Sequence, residues 1–292
     1  MTKLKILVVD GNTRETDAAH VAAGGAPTGA HYASVLSSLR ADVHCTLVHP
    51  AHPGGATLPD GVALASFDGM AWTGSALNVY NDRPEVRAQV ELARAAFAAG
   101  VPQFGSCWGL QVAATAVGGT VRVNPLGREI GVARQIKLTK AGGEHPMFEH
   151  KRGPFDAIAV HMDEISALPP NATVLAGNAM SAVQAVELRH KAGTFWGTQY
   201  HPEYDLNEIA TVIVRYDSRL VEAGIFVDMK TLSQFVADLR SLQVDPTRTE
   251  LAARHGLGMD VLDAGRRRSE LKQWLERQVL THAQRIGSRH DG

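Results

Sequence analysis

The sequence predicts an α/β fold, with an open, mostly parallel sheet flanked by helices and an all-helical C-terminal extension. Short apolar runs rich in β-branched residues alternate with longer helical segments over the first part of the chain. Beyond about residue 206, apolar residues recur only at helical intervals. We therefore expect a first unit at residues 1–206 and a helical extension at residues 207–292.

The first predicted elements are a strand, a loop, a helix and a second strand. K-I-L-V-V-D at residues 5–10 has the length and β-branched content of a buried parallel strand. Residues 11–30 include A-A-G-G-A-P-T-G-A, whose glycines and proline predict a loop, either a lid or a long connection. A helix is expected at about 31–39. D-V-H-C-T-L-V at residues 42–48 predicts the second strand, in which Cys45 packs as a small apolar residue.

The next elements continue the alternation. F-D-G-M-A-W-T-G-S-A at residues 67–76 predicts a short strand that ends in a turn. A helix is predicted to begin at Pro84 and to end at Gly100. Residues 101–105 predict a further strand, and residues 109–119 a further helix, so each strand returns to the sheet after a helical crossover.

The later part of the chain has a different pattern. Residues 120–190 predict antiparallel strands and turns, and F-W-G-T-Q-Y at residues 195–200 predicts a final strand. In the helical extension, the basic run at residues 266–268 is expected on a solvent-exposed helix face, because Glu270 and Glu276 share the segment. The extension is either a cover on the α/β unit or an oligomerisation element.

Composition excludes several classes of function. The 29 basic and 30 acidic residues among 292 leave a formal net charge of -1, which provides no field to attract nucleic acid or an anionic membrane. The two cysteines form no Cys-x-x-Cys pair, so neither a disulfide framework nor a cysteine zinc site is expected. The N-terminal apolar run ends at Asp10, too short for a signal peptide or a membrane span. We therefore expect a cytoplasmic protein.

G-S-C-W-G at residues 105–109 marks a candidate nucleophile, because it lies at a predicted strand-to-helix turn. Small flanking residues let the chain turn sharply and hold Cys107 in a strained conformation, as in a nucleophile elbow. The N-terminus of the following helix favours thiolate over thiol. The same turn directs the Trp108 amide towards the space above the sulfur, which provides half of an oxyanion hole.

H-P-E at residues 201–203 supplies a candidate base and its orienting acid. It directly follows the predicted strand at residues 195–200, where open α/β sheets build their sites. In extended chain, residues two apart project to the same side, so Glu203 can reach the imidazole of His201. His201 would then move protons to and from Cys107 while Glu203 fixes its tautomer.

These two motifs resemble those of a known family. V-P-Q-F-G-S-C-W-G-L-Q-V-A-A-T-A-V-G-G followed by W-G-T-Q-Y-H-P-E is similar to the glutaminase domain of class I glutamine amidotransferases, in the branch of GMP synthetase, over roughly residues 4–206. The resemblance implies a flavodoxin-like sheet, and we expect neither a cofactor nor a metal. It also implies that Cys107 attacks the γ-carboxamide carbon of a glutamine-like substrate and forms a thioester that water hydrolyses.

Further positions carry over by the same resemblance. T-G-S resembles the family's oxyanion turn, so the Gly74 amide would join that of Trp108. Gln111 would contact the glutamyl group. A-V-H-M-D resembles the family's S-H-G-D segment, which implies that the backbone around His161 lies beside the substrate's α-amino and α-carboxylate groups; R-E-I-G at residues 128–131 also resembles a family segment.

The sequence departs from the family where the family holds the glutamyl group. Ser75 begins S-A-L-N in place of the family's P-G-S-P or P-E-S, and Met162 replaces a glycine. Both are expected to contact substrate, and both weaken the prediction of strict specificity for glutamine itself. We also expect the side chains of Trp72 and Trp108 to border the substrate pocket.

Three functional hypotheses follow. The first is a stand-alone hydrolase, similar to γ-glutamyl amide hydrolases, that acts on a small γ-glutamyl substrate with an N-substituted amide. The second is a glutaminase subunit that supplies ammonia to a synthetase partner, since no phosphate-binding loop follows on this chain. The third is a non-enzymatic regulatory protein. A homodimer is compatible with each of them.

Two other enzyme classes fit the sequence less well. An α/β-hydrolase orders its triad as nucleophile, acid and histidine, whereas here the acid follows the histidine. A metallohydrolase needs clustered ligands. His49 and His52, or His145 and His150, lack a known ligand spacing and nearby carboxylates, so we predict that they are surface histidines.

Overall fold

The computed structural model describes residues 3–290, with side chains described for residues 3–286. The outermost two residues of each chain end, which belong to the predicted units 1–206 and 207–292, lie outside this part. In the described part, no helix is both long and apolar enough to cross a membrane.

Eleven strands are described. They are β1 (Leu4–Val9), β2 (Val43–Val48), β3 (Gly69–Trp72), β4 (Gln103–Ser106), β5 (Thr120–Val123), β6 (Glu129–Leu138), β7 (Phe155–His161), β8 (Asp163–Ala167), β9 (Ala172–Gly177), β10 (Ala185–His190) and β11 (Gly193–Thr198). Nine of them form one sheet, and β5 pairs with β8 separately.

The helices fill the connections and the C-terminal part of the chain. They are α1 (Arg14–Ala22), α2 (Thr28–Leu39), α3 (Pro84–Ala99), α4 (Trp108–Ala116), α5 (Lys140–Glu144), α6 (Leu206–Arg215), α7 (Asp217–Glu222), α8 (Met229–Val244), α9 (Thr249–Arg254), α10 (Met259–Leu262), α11 (Ala264–Arg267), α12 (Ser269–Trp274) and α13 (Leu280–His290). Short 3-10 turns occur at Leu64–Ser66 and Pro146–Phe148, and a π-helical segment spans Leu275–Val279.

The sheet order is β2-β1-β3-β4-β11-β10-β9-β6-β7. All pairs from β2 to β11 are parallel, and all pairs from β11 to β7 are antiparallel. The predicted α/β class is therefore confirmed, with a helical C-terminal region. The carboxyl ends of β1, β3, β4 and β11 meet at one edge, which is where an open parallel sheet forms its binding crevice.

The two faces of the sheet bury separate cores. Leu7 and Val9 of β1 pack in one cluster, and Ile6 and Val8 in the other, as alternating strand residues must. Helices α3 and α4 cover the first face, and α2 and α12 the second. A third cluster joins α6 and α8 to Ile158 of β7. Helices of the C-terminal region thus pack directly on the sheet, while the division at residue 206 stays a prediction.

The prediction that residues 11–30 form a loop is wrong, because α1 lies within them. Thr13 caps this helix by accepting a hydrogen bond from the Thr16 amide at 3.3 Å, and Glu15 supplies negative charge in the first turn. Helix α2 also begins earlier than predicted, at Thr28.

The prediction of a solvent-exposed basic run is wrong for one member. Arg266 is exposed, but Arg267 is buried, and its Nη1 donates to the carbonyl oxygen of Val261. Burial lowers the pKa of Arg267 to about 10. Since Val261 lies on the preceding short helix, Arg267 connects helices rather than facing solvent.

The prediction of surface histidines is wrong for His145, whose ring lies edge-on against Trp196 at 4.7 Å. His49 and His52 are half-buried and stack on each other at 4.7 Å. A carboxylate oxygen of Asp17 lies 3.2 Å from His52, so a nearby carboxylate does exist, brought there by α1. The contacts of His145 with Trp196 and of His52 with Asp17 join segments distant in sequence, which spacing could not reveal.

Candidate active site

Cys107 occupies a strained turn between β4 and α4. Its backbone has φ 50° and ψ -98°, a region that non-glycine residues rarely adopt. The flanking glycines permit close packing of the turn. A Cβ added at Gly105 would lie 2.8 Å from the Gly109 carbonyl carbon, and one added at Gly109 would lie 2.4 Å from Trp72 Cβ. The pattern of glycines around the cysteine therefore reflects the close approach of α4 to β3 and β4.

Two backbone amides adjoin the thiol turn without acceptors. Trp108 is the first residue of α4, so its N–H belongs to those that a helix leaves unbonded. The Gly74 amide donates to no acceptor among the described residues. The Gly74 carbonyl instead accepts from Asn12 Nδ2 at 3.2 Å and from Thr73 Oγ1 at 2.9 Å, which fixes the orientation of this peptide. The two free amides are suited to stabilise an oxyanion.

His201 and Glu203 form a buried pair. His201 Nδ1 lies 2.7 Å from Glu203 Oε1, and Ser106 Oγ donates to Glu203 Oε2 at 2.7 Å. A turn at Pro202 and Glu203, rather than extended chain, connects the two residues, which corrects the predicted geometry. Strand β11 ends at Thr198, and this turn brings the carboxylate back to the imidazole.

The remaining nitrogen of His201 is available to Cys107. Nε2 is buried and has no hydrogen-bond partner among the described residues. Burial disfavours charge on the ring, but Glu203 and the neighbouring Cys107 outweigh it and raise the pKa of His201 to about 10. Tyr204 stacks on the ring at 4.1 Å and limits its rotation. The arrangement is suited to hold a proton on His201 next to Cys107.

A pocket of about 330 Å³ opens above the thiol. It is lined by the predicted site residues Cys107, His201, Gly74, Ser75, Gln111, His161 and Met162. Their functional roles stay predictions. The expectation for the indole rings is wrong: Trp72 and Trp108 are buried in the core, where they donate to Gln103 and Gln89 at 3.1 and 2.8 Å.

The His161 ring is held in the structure by both nitrogens. Nδ1 lies 3.0 Å from the Asp163 carbonyl oxygen, and Nε2 lies 2.8 Å from Glu129 Oε2. The backbone of this segment faces the thiol, because Cys107 Sγ lies 3.5 Å from the Val160 carbonyl oxygen. His161 is therefore placed to shape the pocket through its main chain.

The sequence reasoning missed several pocket residues. Asn12 follows β1 at the carboxyl edge of the sheet, and D-G-N after a strand was a usable signal. Asp163 accepts from Asn78 Nδ2 at 2.8 Å and from Tyr80 OH at 3.2 Å. Arg128, Arg215 and Arg219 line the same pocket. The resemblance of R-E-I-G had marked Arg128 without a role, whereas no local pattern pointed to Arg215 or Arg219.

Several known proteins are similar to this chain. The model of the family described as glutamine amidotransferase class-I matches residues 42–217. A protein named gamma-glutamyl-L-1-hydroxyisopropylamide hydrolase, from Pseudomonas sp, is 34% identical over 289 residues, covering 98% of this chain and 96% of the relative. A GMP synthase (glutamine-hydrolyzing) from Thermomicrobium roseum is 31% identical over 191 residues, or 64% of this chain and 32% of the relative.

Solved structures agree on the fold. A glutamine amidotransferase from Thermotoga maritima superposes with a TM-score of 0.65 at 17% identity, covering 96% of this chain and 99% of that chain. One from Methylobacillus flagellatus gives 0.64 at 18% identity, covering 94% and 95%. Because the family model spans more than half of the chain and the Pseudomonas relative nearly all of it, the chain belongs to the class I glutamine amidotransferase family.

Proposed function

We propose that this protein is a stand-alone hydrolase that cleaves the γ-amide bond of an N-substituted γ-glutamyl amide through a thioester on Cys107. The observation that carries the proposal is the strained Cys107 beside the buried His201–Glu203 pair, with the His201 Nε2 left unpartnered. Residues 1–206 would hold the reacting groups, and residues 207–292 would cover the sheet and complete the pocket.

The first half of the reaction forms the thioester. The sulfur of Cys107 attacks the γ-carbonyl carbon, and the carbonyl electrons move onto oxygen. The amides of Gly74 and Trp108 stabilise this oxyanion. When the oxyanion collapses, the carbon–nitrogen bond breaks and the leaving nitrogen takes a proton from His201 Nε2. The raised pKa of His201 means that this proton is present at neutral pH.

The second half returns the enzyme to its starting state. After the amine leaves, His201 is neutral and can accept a proton from water as the oxygen attacks the thioester. The tetrahedral intermediate uses the same two amides. Collapse breaks the carbon–sulfur bond and releases glutamate and a thiolate beside a protonated imidazole. Glu203, held by Ser106, stabilises that imidazolium throughout.

Three observations favour a substituted amide over glutamine. The relative that matches nearly the whole chain is named for hydrolysis of a γ-glutamyl hydroxyisopropylamide. The segments that begin at Ser75 and Met162 depart from the family's pattern at the pocket wall. A pocket of about 330 Å³ also has room for more than the ammonia of glutamine.

The experiment is hydrolysis by the purified chain of glutamine and a panel of γ-glutamyl amides, with release of glutamate as the readout. We expect substituted amides to be cleaved with higher kcat/KM than glutamine. The Cys107→Ala variant should be inactive, and Cys45→Ala should retain native activity as the matched control. Glutamine cleaved faster than every substituted amide would contradict the proposed substrate class.

A second candidate is a glutaminase that depends on a synthetase partner. A relative from Methanococcus maripaludis, named as one of the subunits of a glutamine-hydrolyzing GMP synthase, is 25% identical over 56% of this chain and 78% of the relative. That candidate predicts little activity from the chain alone and stimulation by a partner. Full turnover without a partner would exclude it and would also exclude the non-enzymatic alternative.

A further inference from the structure

Three arginines surround one tyrosine ring in the pocket. The guanidinium carbons of Arg128, Arg215 and Arg219 lie 4.9, 5.6 and 6.0 Å from the centre of the Tyr216 ring. All four residues line the pocket that contains Cys107. Arg128 directly precedes β6, whereas the other two belong to α6 and α7. We call these three residues the arginine cluster.

The arginine cluster has no acidic partner in the described part of the chain. Other arginines do pair; Arg134, for example, lies 2.9 Å from a carboxylate oxygen of Asp156. Within residues 3–286, no ion pair joins Arg128, Arg215 or Arg219 to a carboxylate. The Tyr216 ring attracts each guanidinium group, but no carboxylate neutralises the three positive charges, which repel one another. An anion that enters the pocket would relieve this repulsion, so the cluster is suited to bind one.

The charges of the pocket exceed what a γ-glutamyl group requires. That group carries one α-ammonium and one α-carboxylate. Asp163 is the one carboxylate among the described residues that line the pocket, and it can pair with the α-ammonium. One arginine can pair with the α-carboxylate. Two guanidinium groups then remain without a counterion.

We propose that the amine half of the substrate carries an anionic oxygen group, a carboxylate or a phosphate, which the arginine cluster binds. This inference rests on the proposed function. Guanidinium groups bind both kinds of anion through two parallel hydrogen bonds. A neutral amine half, such as the hydroxyisopropylamide in the name of the Pseudomonas relative's substrate, would leave two arginines unpaired.

The structure also holds one member of the cluster in place. Arg215 Nη1 lies 3.3 Å from His20 Nδ1, and His20 Nε2 lies 2.9 Å from Glu208 Oε2. This network orients the guanidinium before substrate binds, which reduces the entropy lost on binding. Arg219 is exposed and so can meet the outer end of a longer amine half.

The test compares substrates that differ only in charge. One pair is γ-glutamyl-4-aminobutyrate and its amide, and a second is γ-glutamyl-2-aminoethyl phosphate and γ-glutamyl-2-aminoethanol. We expect the anionic member of one pair to have a kcat/KM about 10- to 100-fold higher, the effect of one charged hydrogen-bond pair. An increase in the first pair alone identifies the anion as a carboxylate, and an increase in the second pair alone identifies it as a phosphate. Equal values within both pairs would overturn the inference.

Variants assign the preference to the arginine cluster. Arg128→Gln, Arg215→Gln and Arg219→Gln are compared with Arg248→Gln, which removes the same charge from an exposed residue that pairs with Glu250. At least two of the first three should reduce the ratio of anionic to neutral kcat/KM, and Arg248→Gln should not. A ratio unchanged in all three would contradict the assignment.

Binding separates this inference from the proposed function. Calorimetric affinities of the Cys107→Ala chain for the same substrate pairs need no turnover. Tighter binding of an anionic member supports the inference even if the native chain hydrolyses nothing, an outcome that would reject the proposed function alone. Equal binding of all members would reject the inference even if hydrolysis is rapid.

Discussion

Replacing Gly74 with alanine should displace the His201 ring. The added Cβ would lie 2.6 Å from His201 Cε1. Ordinary van der Waals contact begins at 3.4 Å, so the two groups must separate by about 0.8 Å. The ring is restrained by Glu203 at 2.7 Å and by Tyr204 at 4.1 Å, so the movement disturbs the pair that activates Cys107.

The size of the effect follows from that displacement. A misplacement of about 1 Å in a reacting group costs about 100-fold in rate. We therefore expect kcat/KM of Gly74→Ala to fall about 100-fold for whichever γ-glutamyl amide the native chain cleaves. Gly74 has no left-handed backbone conformation, so alanine does not strain its main chain, and any loss of stability should come from the contact with His201 alone.

The matched control is Gly143→Ala in α5. A Cβ added there meets no heavy atom within 4 Å, and its backbone also accepts alanine. This variant should have native activity and equal or higher stability, since alanine is the better helix former by about 1 kcal/mol. Full activity in Gly74→Ala, measured beside this control, would refute the claim that the position of His201 controls the reaction.

Three further predictions use stability and reactivity. Iodoacetamide should alkylate Cys107 much faster than Cys45, because burial raises the pKa of the Cys45 thiol to about 11; equal rates, from peptide mass spectrometry, would contradict the nucleophile assignment. The pKa of His201 is raised from 6.5 to about 10, so its stabilisation is full below about pH 6.5 and is lost as pH rises through 10. The difference in unfolding free energy between the native chain and His201→Gln should therefore decrease from about pH 6.5 to pH 10. A difference that does not change with pH would show that Glu203 does not stabilise a protonated His201. Ser106→Ala removes the hydrogen bond that Ser106 Oγ donates to Glu203 Oε2. We expect the free energy of unfolding in urea to fall by about 1–3 kcal/mol and the activity to fall as well. A variant as stable as the native chain would show that this hydrogen bond does not stabilise the site.

The parts of the fold and site that depend on neighbouring residues could be predicted from the sequence. The sharp turn at Cys107 requires small residues before and after it, and Gly105 and Gly109 made this turn predictable. His201 and Glu203 lie two residues apart, so their pairing was expected even though a turn, not extended chain, brings them together. The alternation of strands and helices likewise follows from local patterns.

The parts that depend on distant packing could not be predicted. Helix α1 was missed because the glycines after it outweighed the weak cap at Thr13. Asn12 donates a hydrogen bond to the carbonyl oxygen of Gly74, which lies 62 residues away in the sequence. Helix α6, which ends at Arg215, packs against Ile158 of β7, and no pattern within α6 indicates which face meets the sheet and which end meets the pocket.

The most direct test of the account is to trap the covalent intermediate. The native chain is quenched in acid during turnover of its best γ-glutamyl amide and analysed by peptide mass spectrometry. We predict a γ-glutamyl adduct on the peptide that contains Cys107, absent from the Cys107→Ala chain and from the peptide that contains Cys45. Continued turnover by Cys107→Ala would contradict the account.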